Sequence, residues 1–147
     1  MKLWMSLYAM IWVVFIEFLL AMTPGASVVL QYFHIALGLV IIGLAYYNFN
    51  GVRWTAVPGR VKRIAKTTFI LSIAIGVFGL PLFFGAGAPI LLGITLRGLI
   101  LFFHVFIGFA IITQAAAVAI AYDMWEDKEF AKETAPGEVP EMPVQKY

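Results

Sequence analysis

The chain has 147 residues, of which 63% are hydrophobic and 12% charged, against about 25% charged in an ordinary soluble domain. Cysteine is absent, which excludes structural disulfides, thiolate metal sites and covalently attached c-type haem. The pI near 9.0 and net charge of +2 come with no basic helix or RNA-type aromatic motif, so no nucleic-acid partner is expected.

Seven of the eight acidic residues lie from Asp123 onward, and Glu17 is the one carboxylate before them. A hydrocarbon core about 30 Å thick needs about 20 apolar residues per helix, so the apolar part has room for about four spans. The expected fold is all-α: an integral membrane four-helix bundle over residues 1–122, followed by a cytoplasmic C-terminal tail over 123–147.

The first span is expected over about residues 3–22. Its apolar stretch exceeds the roughly 7–15 residues of a signal-peptide core, so it reads as a retained helix. Thr23-Pro24-Gly25-Ala26-Ser27 reads as a tight turn, with Ser27 placed to cap the second span over about 27–47. Asn48 to Lys66, with Arg53, Arg60, Lys62, Arg63 and Lys66, reads as a polar loop with Pro58-Gly59 as its turn. The third span is expected over about 67–84, and the fourth over about 96–122 after a Gly/Pro-punctuated apolar connector. The tail reads as an amphipathic helix end followed by an extended segment, either solvated or docked on a partner subunit.

Lys2, the five-cation loop and the tail fall on one side of this threading. The cation excess assigns that side to the cytoplasm. Both termini are then inside, with the cell (plasma) membrane as the expected location.

The chain has two histidines, both inside expected spans, where an ionisable residue is costly and a functional candidate. A lone intramembrane histidine is also often satisfied by a backbone carbonyl. The context of the pair says more. Tyr32-Phe33-His34-Ile35-Ala36-Leu37-Gly38-Leu39-Val40-Ile41-Ile42 aligns without gaps on Phe102-Phe103-His104-Val105-Phe106-Ile107-Gly108-Phe109-Ala110-Ile111-Ile112. The shared His-x-x-x-Gly, in spans running the same way, implies two helical hairpins in parallel repeat about an axis along the membrane normal. His34 and His104 would then face each other in the extracytoplasmic half, as cofactor ligands do in four-helix bundles.

Zinc wants about four ligands, or about three plus water, and only Glu17 could add to the pair. Haem iron needs two axial ligands, because the porphyrin supplies the other four nitrogens. Metal ligation is therefore assigned to His34 and His104, with one non-covalent haem b. Gly38 and Gly108 would let the flat ring approach the backbone, and Phe33, Phe103, Phe106 and Phe109 would supply apolar walls. Arg97, seven residues before His104, returns to nearly the same face about 10 Å nearer the helix start. It would meet a propionate or snorkel to headgroups. Gln31 would reach a propionate, orient a ligand, or serve as a polar helix contact. Glu17 is open among a proton-transfer group, a partner for Arg97 and an interfacial residue.

At these residues the chain resembles the haem-binding four-helix bundle of membrane b-type cytochromes, and most nearly one half of haem A synthase. The resemblance implies a haem held between the second and fourth helices. The synthase pattern places Glu three residues before the histidine of the second helix and often Arg after it; Gln31 and Ile35 stand there instead, and its Cys-bearing segment has no counterpart. With both axial positions filled, electron transfer is the expected chemistry, in a b-type cytochrome or a subunit of a respiratory complex. The partners would be other subunits, a quinol or an extracytoplasmic redox protein. The alternatives are a haem A synthase-like enzyme and a cofactor-free accessory subunit.

Overall fold

The structure is a computed structural model that describes residues 2–23, 27–84, 89–91 and 94–134. Four helices account for most of it: α1 (Leu3–Ala21), α2 (Val28–Arg53), α3 (Gly59–Phe83) and α4 (Leu96–Thr134). All four are long and apolar enough to cross a membrane. A short antiparallel ribbon, Pro89–Leu91 against Ile94–Thr95, precedes α4. The Pro24–Ala26 part of the first turn, Gly85–Ala88 and the tail beyond Thr134 lie outside the described residues.

The helix ends follow local chemistry. Ser27 caps α2, its side chain accepting from the Leu30 amide at 3.4 Å, as its place after Pro-Gly suggests. At the other end of α2, Thr55 donates to the Val52 carbonyl at 2.7 Å, and Pro58, which cannot continue the preceding helix, stands at the N-cap of α3.

Each helix packs on its sequence neighbours, and α1 closes the ring against α4. The diagonal pairs, α1 with α3 and α2 with α4, therefore face each other across the interior. Two core layers fix the directions. One holds Leu7, Val52, Val57, Val61, Ala65, Val118, Ala119 and Tyr122; the next holds Met10, Val14, Ile41, Ala45, Ile111 and Ala115. Residue numbers climb between these layers in α1 and fall in α2 and α4, so α2 and α4 run in the same direction.

The region read as a polar loop is mostly helix. Helix α2 continues to Arg53, and α3 begins at Gly59, because Asn48, Val52, Val57, Val61 and Ala65 turn inward and are buried. Their side chains recur one helical turn apart, which the intervening charged residues obscure in the sequence. Helix α4 likewise runs past Tyr122 to Thr134. Its 39 residues make it about 58 Å long, well over the thickness of a bilayer core.

Polar side chains join the helices inside this packed half. Asn48 of α2 donates to the Ser6 carbonyl of α1 at 3.3 Å, and Thr68 of α3 donates to Gln114 of α4 at 3.1 Å. Without a hydrophobic drive between helices in lipid, such contacts and small residues fix the register. Packing then changes along the axis. The buried residues of α1 stop at Val14, those of α2 start at Ile41, those of α3 stop at Ser72 and those of α4 start at Ile111. Among the described residues, the half of the bundle beyond these positions holds partly buried and exposed side chains only.

Candidate functional site

His34 and His104 stand about two turns beyond the tightly packed half, seven residues from Ile41 and Ile111. They project from the diagonal helices α2 and α4, with ring centroids 6.0 Å apart and planes inclined at 53°. The expected meeting of the two rings inside the bundle is thus present.

Each ring is approached at Nδ1 from the preceding helix. His104 Nδ1 lies 3.1 Å from the Ile75 carbonyl of α3. A carbonyl only accepts, so this contact places the proton on Nδ1 and leaves the Nε2 lone pair available. His34 Nδ1 lies 3.1 Å from Glu17 Oε1 of α1, with 13% of the glutamate side chain exposed. That approach is at ion-pair distance, yet off the axis of the ring N–H, so Nδ1 makes no aligned hydrogen bond. Histidine χ2 is soft, and a rotation of the ring brings the N–H into line.

The glycines one turn after the histidines pack against the same two residues. A Cβ on Gly38 would stand 3.6 Å from Glu17 Oε1, and one on Gly108 would stand 3.5 Å from Ile75 Cδ1. Both glycines thus face the residue that reaches the histidine, at distances where a Cβ would make ordinary contact. A third glycine, Gly79 on α3, touches His104 itself: a Cβ there would lie 3.2 Å from Cε1 and 3.6 Å from Nδ1.

The remaining sequence-derived candidates are not part of this cluster. Phe33 is 59% exposed and Phe103 43%, and Phe103 packs on Phe102 and Phe78. Phe106 and Phe109 also face outward. The reason is helical phase: consecutive residues on a helix are about 100° apart, so a phenylalanine beside a histidine in sequence points elsewhere. Gln31 and Arg97 are exposed, Arg97 in the first turn of α4. Glu17 meets His34 and not Arg97.

Sequence reasoning missed Ile75 and Gly79. The Ile75 contribution is a backbone atom, which no sequence letter announces. Gly79 did carry a signal: with Gly76 and Pro81 it makes a run of weak helix formers inside a membrane span.

No group of three or more His, Cys, Asp or Glu is placed to hold a metal ion among the described residues. Two imidazoles are the donor set. The buried, unpartnered Glu17 Oε2 and His34 Nδ1 mark the same place as one built for polar chemistry. Two imidazole nitrogens suit a group that brings its own equatorial ligands. Comparison with protein-family models, characterised proteins and solved structures finds no match to the chain.

Proposed function

We propose that this protein is a membrane b-type cytochrome, a bis-histidine haem electron-transfer protein or the haem-bearing subunit of a respiratory complex. The observation that carries this reading is the pair of imidazoles meeting across the bundle with ring centroids 6.0 Å apart; Nδ1 of His104 is taken by the Ile75 carbonyl, which leaves its Nε2 for a metal. Haem supplies reversible one-electron chemistry in such a setting.

The chain's own residues have three tasks in it. His34 and His104 would hold the haem, which would supply electron transfer. Glu17 and the Ile75 carbonyl restrain the ligand rings, as residues behind metal-bound histidines do. Arg97, two turns before His104, supplies positive charge for a propionate at the end of the bundle away from the chain termini. The matched pattern of histidine, glycine one turn on, and a shared partner on the preceding helix supports two hairpins in parallel repeat. The cation asymmetry supports both termini in the cytoplasm of a cell with the protein in its plasma membrane. The site then lies in the extracytoplasmic half, within reach of a quinol, an extracytoplasmic redox protein or a partner subunit.

The test is the reduced-minus-oxidised absorption spectrum of the purified protein. A low-spin b-type spectrum is expected, abolished or turned high-spin by His34→Ala or His104→Ala. A wild-type protein that binds no haem would leave a cofactor-free accessory subunit as the reading.

A further inference from the structure

Two ligands that look equivalent in sequence have different partners. His104 leans on a neutral backbone carbonyl, whereas His34 leans on a carboxylate. A carboxylate at this depth in an apolar helix is costly, and Glu17 Oε1 stands 3.1 Å from His34 Nδ1. Gly38 of α2 faces the carboxylate, and a Cβ there would stand in ordinary contact, 3.6 Å from Oε1. The second oxygen, Oε2, is buried without a hydrogen-bond partner. Arg97 makes no ion pair with it, so its charge is directed at His34.

We propose that Glu17 is a positioning residue that makes His34 the more electron-rich of the two ligands and thereby holds down the reduction potential of the site. The inference rests on the bis-imidazole reading above. A carboxylate behind Nδ1–H raises the basicity of Nε2 and fixes the ring orientation, and a more basic ligand together with a nearby negative charge favours the oxidised, more positive iron. The Ile75 carbonyl orients His104 without adding a charge. The asymmetry between the hairpins is thus a means of setting the potential without altering either ligand.

The experiment is a potentiometric titration of the wild-type protein, Glu17→Gln and Glu17→Asp, followed at the low-spin haem band. Glu17→Gln, close to isosteric, should keep the low-spin spectrum and raise the midpoint by about 59 mV or more, a tenfold change in a one-electron equilibrium. Glu17→Asp, which keeps the charge but draws it back, should shift the midpoint less and in the same direction. An unchanged or lowered midpoint in Glu17→Gln, with the low-spin spectrum intact, overturns the proposal. Loss of the low-spin spectrum in Glu17→Gln alone overturns it too, because Glu17 would then be needed for ligation and not for tuning. Absence of haem from the wild-type protein is a separate result, seen before any substitution, and it defeats the bis-imidazole reading itself.

Discussion

Gly79 of α3 leaves room for the ring of His104: a methyl group at its Cα would stand 3.2 Å from Cε1, inside normal contact. Because the same ring is held by the Ile75 carbonyl four residues earlier on α3, it cannot withdraw without losing that contact. Gly79→Ala should therefore rotate or displace His104. Overpacking of this kind costs about 1–3 kcal/mol. The expected outcome is a protein that still inserts but whose haem spectrum turns high-spin or weakens, while Gly76→Ala, whose Cβ would lie at an ordinary 3.5 Å from Ile42 Cδ1, perturbs it less. Equal spectra in the two variants would contradict the role of Gly79.

The hydrogen bond from Thr68 to Gln114 ties α3 to α4 in the packed half, at 3.1 Å and away from the histidines. Interhelical side-chain hydrogen bonds in membranes average about 0.6 kcal/mol. Thr68→Val should lower stability by about that amount in a detergent unfolding equilibrium. The haem spectrum should not change. A loss above about 2 kcal/mol would mean that Thr68 has a larger part in the fold than this contact.

The four helices were legible in the sequence because a span of about 20 apolar residues is a strong signal, and the meeting of the two rings because His34 and His104 interrupt such spans in matching contexts. The inner ends of α2 and α3 were not. Asn48 counts as polar in any hydropathy reading, yet it is buried and donates to Ser6, and Val57 and Val61 sit among the exposed Pro58, Arg60 and Arg63 while facing the core. The role of the glycines was only half legible: His-x-x-x-Gly marked the right faces of α2 and α4, but what fills the space beside Gly38 and Gly108 comes from α1 and α3. No local pattern reveals which residue of a neighbouring helix arrives there.

Orientation is open to direct labelling, because the chain has no native cysteine. A cysteine at Thr23, exposed at the end of α1, should react with an impermeant maleimide from outside intact cells. One at Arg60, exposed at the start of α3, should react only after the membrane is opened. The reverse pattern would turn the bundle over and place the histidines in the cytoplasmic half.

Arg97 lies seven residues before His104 on α4, about 10 Å along the axis. A unit charge at that distance and an effective dielectric near 20 is worth about 1.7 kcal/mol before screening. Positive charge favours the reduced state, so Arg97→Gln should lower the midpoint potential by at most about 70 mV and leave the low-spin spectrum in place. Its sign is opposite to that expected for Glu17→Gln. An unchanged or raised midpoint would mean that Arg97 serves the headgroups alone.

The central claim is that His34 and His104 ligate one haem iron between them, and near-infrared magnetic circular dichroism of the oxidised protein tests it most directly, because the low-spin charge-transfer band identifies the axial pair. One haem per chain with a bis-imidazole band, lost in both His34→Ala and His104→Ala, is the predicted result. A methionine- or hydroxide-ligated band, or a protein that takes up no haem, would contradict it.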